Sequence, residues 1–159
     1  MSLHDKIVDW QELPKSLSAL PRPLVFTNGV FDLLHPGHVT YLERARSLGA
    51  SLVVGLNSDQ SVRLLDKGDD RPVNHQADRA IMLASLASVS LVTVFNEKTP
   101  IKLIEAVHPD IYVKGGDYDM DVLEEAILVR SWGGHAEALQ FLDGYSTTGL
   151  LHRVRSGSL

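Results

Sequence analysis

Two histidines, His35 and His38, lie three residues apart in the segment "HPGH", shortly after the apolar run "PLVF". The apolar run predicts a buried strand, and Pro36 is typical of the first helical position, where a missing N–H group costs nothing. Backbone N–H groups in the first turn of a helix have no acceptor within it and, with the helix dipole, favour an anion. Both imidazoles can face one side of the helix start and donate to phosphate oxygens. The pattern predicts a phosphate-binding turn, where Gly37 lets the anion approach the backbone.

The histidine pair has two simpler interpretations, a metal site and a pair of solvated surface side chains. A zinc site needs further ligands, and no third ligand in a helical register is evident. The sequence has no cysteine, which excludes thiolate-bound metals and a disulfide framework. A surface pair is disfavoured because the histidines lie where a strand passes into a helix. We therefore expect no metal ion held by the protein itself.

The bulk composition is that of one globular domain. The chain has 159 residues, of which 44% are hydrophobic and 22% are charged. No apolar run approaches the ~18 residues of a membrane span, and the N-terminus lacks the layout of a signal peptide. The net charge of -5 argues against nucleic-acid binding, although a local group of cations can still bind an anionic substrate. We therefore expect a cytoplasmic protein that binds neither nucleic acid nor membranes.

Short apolar strands alternate with helical patterns along most of the chain, which predicts a parallel sheet covered on both faces. The expected fold is a single Rossmann-like, doubly wound α/β domain over residues 23–159, preceded by a leading helix or extension in residues 1–22. Asp9 and Glu12 form a candidate capping box in the leading segment, although Pro14 weakens it. The five predicted strands are Leu24–Asn28, Ser51–Leu56, Ser90–Phe95, Ile111–Lys114 and Ala136–Phe141. The predicted helices between and after them are Pro36–Leu48, Gln76–Ala87, Pro100–Val107, Val122–Trp132 and Thr148–Arg155.

Polar segments follow four of these strands at the edge of the sheet where open parallel sheets bind ligands. The segment after the third strand, residues 96–98, carries no comparable pattern of residues for ligand binding. Ser146 or Thr147 is a good N-cap for the last helix, so its first turn would form a second phosphate-binding helix start. An ordinary helix cap is the alternative for an isolated Ser-Thr-Thr, but the histidine turn at the same edge favours phosphate.

Three cations are candidates for binding the phosphates. Lys67 lies in the polar segment "LDKGDDRPVNH", residues 65–75, which we expect to be a mobile loop. Arg79 lies in the following helix, and Lys114 follows the fourth strand; Arg71 is a further candidate in the loop. The alternatives are solvated loop charges for Lys67 and Arg71, and an exposed salt bridge for Arg79.

The segment "GVFDLLHPGH" resembles the signature of the nucleotidyltransferase superfamily that includes the cytidylyltransferases, and "YSTTGLL" resembles its C-terminal motif. Within the superfamily, "DDRPVNHQADR", "KGGDY" and "DGYSTT" are most similar to the adenylyltransferases that act on D-glycero-β-D-manno-heptose 1-phosphate. The likeness runs from about residue 25 to the C-terminus.

The resemblance implies specific roles for residues at the strand ends. His35, His38, Lys67 and Arg79 would be catalytic. The residues placed at the nucleotide and its phosphates are Asn28, Gly29, Val30, Phe31, Gly37, Lys114, Ser146, Thr147 and Thr148. The residues placed at the substrate are Asp32, Asn57, Gly115, Gly116, Asp117 and Tyr118. For Asp32, a purely structural role at the helix start is the alternative.

The implied reaction transfers AMP from ATP to the sugar 1-phosphate, giving ADP-heptose for lipopolysaccharide core synthesis and pyrophosphate, with Mg²⁺ carried by ATP. A homodimer or higher homo-oligomer is also implied. One alternative is a CTP-dependent enzyme for a small phosphorylated alcohol. Glycerol-phosphate cytidylyltransferases carry an arginine just before Ser-Thr-Thr, and the corresponding segment here, "LDGY", has no basic residue. Another alternative is a module that binds a nucleotide without turnover.

Overall fold

The computed structural model describes residues 1–157, which form an α/β fold around one five-stranded sheet. The strands are all parallel and lie in the order β3-β2-β1-β4-β5. Their bounds are β1 Leu24–Gly29, β2 Ser51–Asn57, β3 Leu91–Phe95, β4 Ile111–Gly115 and β5 His135–Leu139. The predicted doubly wound, Rossmann-like sheet is therefore confirmed.

Helices cover both faces of this sheet. One face carries α2 and α4, whose apolar side chains form a buried cluster with alternate strand residues such as Val25 and Val54. The other face carries α1, α5 and α6, which bury Phe26 and Val53 from the opposite side of the same strands. The helix bounds are α1 Leu13–Ser18, α2 Pro36–Ser47, α3 Asp59–Arg63, α4 Gln76–Ala84, α5 Ile101–Val107, α6 Glu124–Ser131 and α7 Thr147–Ser156. No helix within residues 1–157 is both long and apolar enough to cross a membrane.

The N-terminal segment differs from the single leading helix that the sequence predicted. A short 3₁₀ helix, Leu3–Lys6, precedes α1, and between them Ile7 forms a parallel bridge with Val92 on β3. The Asp9 carboxylate accepts from the backbone amides of residues 11 and 12, so it stabilises a turn before α1. Pro14 fits only in the first turn of a helix, which is why α1 starts at Leu13 and not near Asp9.

The elements also differ from the predicted ones in one added helix and in ends that are shifted by one to three residues, and two of the differences shape the candidate site. The short helix α3 was not predicted; it is capped by Ser58, whose Oγ accepts from the amide of Ser61 at 3.0 Å. Helix α4 ends three residues earlier than predicted, at Ala84. Strand β5 ends at Leu139 instead of Phe141, which places the Phe141 ring against Gly115 at the end of β4.

The order of the strands creates a crevice at the carboxyl ends of β1 and β4. From β1, the chain goes to β2 on one side, whereas β4 pairs with β1 on the other side. Where the connections after two neighbouring strands lead in opposite directions, a space remains between them, and ligands of open α/β sheets bind in this space. The segments that the sequence singled out after β1 and β4 meet at this crevice.

Candidate active site

The histidine turn after β1 forms the start of α2, as predicted. His35 is the N-cap residue, in an extended conformation, and Pro36 occupies the first turn. The backbone N–H of His38 donates to the His35 carbonyl at 3.0 Å. The two imidazole rings stack, with ring centroids 3.8 Å apart and planes at 24°. Stacking at this distance favours uncharged rings, because two imidazolium cations would repel each other.

The surroundings of the pair keep both imidazoles neutral at neutral pH. Burial, together with the neighbouring His35, lowers the pKa of His38 to about 4, while the backbone of Leu33 opposes the shift. Burial also lowers the pKa of His35. The Nδ1 atom of each ring is buried and, among the described residues, makes no hydrogen bond. Unsatisfied buried polar atoms are costly, and a catalytic role is one of the reasons for which native proteins keep them.

Gly37 has a packing role that the sequence did not suggest. A Cβ atom at this position would lie 2.8 Å from Cε1 of His35 and 3.2 Å from the Cβ of Tyr145. The place that a side chain at Gly37 would occupy is therefore filled by protein, and the approach of a phosphate to its backbone stays a prediction. The Tyr145 ring lies 6.2 Å from the His35 ring at 16°, so the lack of a side chain at Gly37 lets these two rings approach.

The start of α7 lies opposite the histidine turn, across one cavity. Ser146 is the N-cap of α7, and its Oγ accepts from the amide of Gly149 at 2.9 Å. The Thr147 hydroxyl donates to the Leu33 carbonyl at 3.4 Å, which joins α7 to the loop before α2. The cavity has a volume of about 240 Å³. Its lining residues are Val30, Phe31, Asp32, His35, His38, Lys67, Arg71, Phe141, Tyr145, Ser146, Thr147 and Thr148. The two predicted phosphate-binding helix starts therefore share one cavity.

The loop of residues 65–75 closes one side of this cavity. The Arg71 guanidinium donates to the Thr148 hydroxyl at 3.1 Å, and Asp70 forms an ion pair with Arg155 of α7. Lys67 also lines this cavity. Lys67 and Arg71 thus lie at the site, in agreement with the sequence, although Arg71 is joined to α7. Whether the loop is mobile stays a prediction.

Asp32 holds this loop in place through hydrogen bonds. Its side chain is buried, and its carboxylate accepts from the amides of Val73 and Asn74 at distances of 2.8 to 3.0 Å. Asn74 returns a side-chain hydrogen bond to the Asp32 carbonyl at 3.0 Å. Asp32 lines the cavity, but both of its oxygens are bound to the loop. Asp32 therefore has a structural role, but in holding the loop and not at the helix start, and its contact with a substrate stays a prediction.

Arg79 does not lie where the sequence placed it. Its side chain is fully buried under the site, is not exposed as a surface salt bridge would be, and lines neither of the two cavities described here. The guanidinium donates to the carbonyls of Asn74 (2.9 Å), Val30 (2.8 Å) and Asn57 (2.7 Å). It also pairs with Asp59 of α3 at 2.7 Å. Four of the five guanidinium N–H donors are occupied in this way, so Arg79 positions the site, and its contact with phosphate stays a prediction.

A second cavity, of about 440 Å³, adjoins the first at the end of β1 and opens toward β4. The residues that line both cavities are Val30, Phe31, His38, Lys67 and Phe141. Lys114 lines the second cavity, and its Nζ lies 4.8 Å from the centre of the Tyr118 ring. Burial lowers the pKa of Lys114; the carboxylate of Glu125 opposes this shift and the charge of Lys67 adds to it.

Several of the predicted site residues lie around the second cavity. Asn28, Gly29, Asn57, Gly115 and Tyr118 line it with Lys114. A Cβ atom on Gly29 would lie 2.9 Å from the Phe31 ring, so the glycine makes room for this ring at the junction of the cavities.

Gly116 and Asp117 lie near the second cavity without lining it. Gly116 has a φ angle of 109°, which favours glycine and turns the chain after β4. The Asp117 carboxylate is exposed and accepts from the Gln140 amide at 3.0 Å. In this structure both residues shape the loop after β4, and the contact of Asp117 with a substrate stays a prediction.

Several residues of the two cavities were not identified from the sequence, among them Lys98, Thr99, Glu125 and Phe141. Lys98 and Thr99 line the second cavity, although the segment after β3 was expected to carry no signal. The position of this segment could have identified it, because it follows β3 at the same edge of the sheet as the other site segments. Phe141 was assigned to β5, and Glu125 lies inside a helix whose burial pattern does not reveal that it faces a cavity.

Comparison with known proteins agrees with this geometry. A family model described as cytidylyltransferase-like matches residues 26–153. The D-beta-D-heptose 1-phosphate adenylyltransferase of Bordetella bronchiseptica is 58% identical over 154 residues, which cover 96% of this chain and 95% of that protein. The bifunctional protein HldE of Magnetococcus marinus is 50% identical over 153 residues, covering 94% of this chain but 31% of HldE. The chain thus spans less than a third of that bifunctional relative.

Two solved structures show the same fold. A lipopolysaccharide core biosynthesis protein from Thermoplasma volcanium is 28% identical with a TM-score of 0.61, covering 77% of this chain and 98% of that one. A pantothenate synthetase from Thermus thermophilus has a TM-score of 0.61 at 17% identity, covering 86% of this chain and 62% of that one. The second likeness concerns the fold alone.

Replacing Arg79 tests its role in holding the site together. Arg79→Met leaves Asp59 and three carbonyl groups without their donor, so the free energy of unfolding should fall by about 3–5 kcal/mol. Urea denaturation measures this loss. Arg63→Met, at the exposed end of α3, is the matched control. A loss below about 1 kcal/mol for Arg79→Met would contradict the positioning role.

The low pKa of His38 predicts how stability depends on pH. Its pKa is about 4 in the folded chain and near 6.5 when unfolded, so between these values the unfolded chain binds more protons. The free energy of unfolding should therefore fall as the pH is lowered through this window, by up to ~1.4 kcal/mol per pH unit from His38.

Urea denaturation across this pH window compares the wild type with His38→Gln. In the variant, the free energy of unfolding should fall less steeply with decreasing pH, because the contribution of His38 is lost. His152→Gln removes an exposed histidine and should keep the slope. An unchanged slope in His38→Gln would show that His38 is not buried as a neutral ring.

Proposed function

Because the chain belongs to the cytidylyltransferase-like family, we propose that it transfers the adenylyl group of ATP to D-glycero-β-D-manno-heptose 1-phosphate. The observation that carries this proposal is the shared cavity, in which the neutral histidine pair and the start of α7 face the same space beside Lys67. The similarity to the Bordetella adenylyltransferase over nearly the entire chain supports the choice of ATP and the heptose phosphate. The products would be ADP-heptose, a precursor of the lipopolysaccharide core, and pyrophosphate.

The proposed chemistry is an in-line displacement at the α-phosphorus of ATP. A phosphate oxygen of the sugar 1-phosphate forms the new bond to phosphorus. The bond from phosphorus to the α–β bridging oxygen breaks, and pyrophosphate leaves with that electron pair. The attacking oxygen is already an anion, so no general base and no covalent enzyme intermediate are needed. Catalysis then consists of positioning and of stabilising the charge that develops on the phosphates.

The residues of the shared cavity supply both effects. His35 and His38, as neutral rings, donate N–H groups to phosphate oxygens without giving up a proton. Lys67 lies where the two cavities join, so it would contact the phosphates at the reacting centre. The hydroxyls and amides at the start of α7 would hold the outer phosphates. Lys114 would contribute positive charge from the second cavity, which is large enough for the nucleoside or the sugar.

Mg²⁺ is proposed to enter with ATP, bound to its phosphates, where it neutralises part of their charge. Asp32, the carboxylate that lines the shared cavity, is engaged by loop amides. Within residues 1–157, no group of three or more histidine or carboxylate side chains is arranged to hold a metal. The residues fit an ion held chiefly by the phosphates. A cytoplasmic location, where ATP is abundant, and a homo-oligomeric state are also part of this proposal.

A pyrophosphate-release assay tests the proposed function. ATP and CTP are each combined with heptose 1-phosphate, glycerol 3-phosphate and phosphoethanolamine. Release should be fastest with ATP and heptose 1-phosphate. Faster release with CTP and glycerol 3-phosphate would identify a cytidylyltransferase, and nucleotide binding without release in any combination would identify a binding module.

His38→Ala tests the catalytic role of the histidine pair. Loss of one donor that stabilises developing charge should lower kcat by at least ~10²-fold in a protein that remains folded. The assay is pyrophosphate release at saturating substrates, with circular dichroism to check the fold. His152→Ala, which changes an exposed histidine of α7, should keep wild-type turnover. Near-normal turnover of His38→Ala would remove this residue from the mechanism.

A further inference from the structure

The side-chain amide of Asn28, near the end of β1, has one end bound by the protein and the other end open. Its Oδ1 accepts from the hydroxyl of Tyr112 on β4 at 2.9 Å. Its Nδ2 makes no hydrogen bond with any side chain or backbone group of residues 1–157. This nitrogen is not among the buried side-chain atoms without a partner in that range, so it is accessible. Because Asn28 lines the second cavity, its two N–H groups can donate to a ligand bound there.

The contact between Tyr112 and Asn28 follows from the way in which β1 and β4 separate. The pairing of the two strands ends at Phe26 and Tyr112, although β1 continues to Gly29. Side chains two positions apart on a strand share a face, so Asn28 lies on the same face of the sheet as Phe26. The Tyr112 ring stacks against the Phe26 ring, with centroids 6.2 Å apart and planes at 26°. Its hydroxyl therefore reaches Asn28 across the gap between the strands.

This hydrogen bond determines which way the amide of Asn28 is turned. Tyr112 is fully buried, and burial raises the pKa of its hydroxyl well above the usual value, so the hydroxyl keeps its proton. An amide oxygen accepts hydrogen bonds and cannot donate, whereas the amide nitrogen only donates. The reverse orientation of the amide would take from the Tyr112 hydroxyl the acceptor that it has here. The oxygen of Asn28 is therefore held against Tyr112, and its nitrogen is left for other partners.

We propose that Tyr112 is a positioning residue that fixes the Asn28 amide so that its N–H groups donate to an acceptor atom of a bound substrate. The proposal rests on the proposed function, which supplies two ligands with such acceptors, ATP and heptose 1-phosphate. Tyr112 acts through Asn28, since it lines neither of the two cavities itself. With its oxygen occupied, Asn28 presents donors alone, so this part of the cavity selects for an acceptor on the ligand.

The test is a double-mutant cycle in the full chain, with Tyr112→Phe, Asn28→Ala and the double variant. Tyr112→Phe removes the hydroxyl and keeps the ring that stacks on Phe26. Calorimetry measures the affinities for ATP and for heptose 1-phosphate separately, without turnover. Pyrophosphate release gives KM and kcat for each substrate. Thermal melting checks that each variant is folded, and Asn28→Leu, which has a similar volume and no donor, replaces the alanine variant if that one is not.

Tyr41→Phe is the matched control, in the wild-type and the Asn28→Ala backgrounds. Tyr41 is also buried, and its hydroxyl also joins β1 to β4, through the Thr27 hydroxyl at 2.6 Å and the Val113 carbonyl at 3.2 Å. It makes no hydrogen bond with Asn28. Its removal should therefore change the affinities by the same factor in both backgrounds.

Tyr112→Phe should weaken the binding of at least one substrate by about 3- to 10-fold, the loss expected for one neutral hydrogen bond. The loss should appear as a higher KM with a smaller change in kcat, and Asn28→Ala should lose at least as much affinity for the same substrate. In the Asn28→Ala background, Tyr112→Phe should change the affinity by less than about twofold, because no amide is left to orient. A loss with ATP places the acceptor on the nucleotide, and a loss with heptose 1-phosphate places it on the sugar phosphate.

Two results would overturn the proposal. One is a folded Tyr112→Phe or Asn28→Ala variant that binds both substrates within about twofold of wild type. The other is an equal loss from Tyr112→Phe with and without the Asn28 amide, which indicates a structural role. If wild type releases no pyrophosphate from ATP and heptose 1-phosphate, the proposed function fails by itself. The calorimetric cycle with the nucleotide that wild type binds still tests Tyr112 and Asn28 in that case.

Discussion

The buried guanidinium of Arg79 is the interaction on which the site depends. It binds the chain after β1 through Val30, the end of β2 through Asn57, the loop of residues 65–75 through Asn74, and α3 through Asp59. These segments come from distant parts of the sequence and end at the same edge of the sheet. A charged group out of contact with water is tolerated only when its donors are satisfied, so the geometry of all four segments is restricted together. Asp32 extends this restriction to the amides of the same loop.

With these segments held, a phosphate site can be built from groups that carry little charge of their own. The two imidazoles stack at 3.8 Å and are kept neutral by burial. They therefore offer N–H donors to phosphate without strong mutual repulsion. Among the cations, Lys67 lines both cavities where they join, and Lys114 lines the second cavity. Donors that are fixed before the substrate arrives need little reorganisation during the reaction.

The sequence predicted the parts of the fold and site that depend on local pattern. The alternating apolar runs indicated five parallel strands, and Pro36 and Ser146 marked two helix starts that share a cavity in the structure. Local pattern did not reveal contacts between distant residues. Arg79 was expected to face solvent or phosphate, because a sequence does not show which carbonyl groups surround a side chain. The packing role of Gly37 was missed for the same reason, since the ring of His35 and Tyr145 fill the space beside it only in the folded chain.

The attachment of α7 differs in kind from that of the other helices around the site. Helix α2 buries Tyr41, Leu42 and Ala45 in the core, whereas α7 has no buried residue. Hydrogen bonds and an ion pair at the surface hold α7 against the loop of residues 65–75. Such contacts contribute little free energy and weaken as the ionic strength rises. We therefore expect this wall of the shared cavity to open at a lower cost in free energy than the sheet or the histidine turn, and a bound polyphosphate would help to keep it in place.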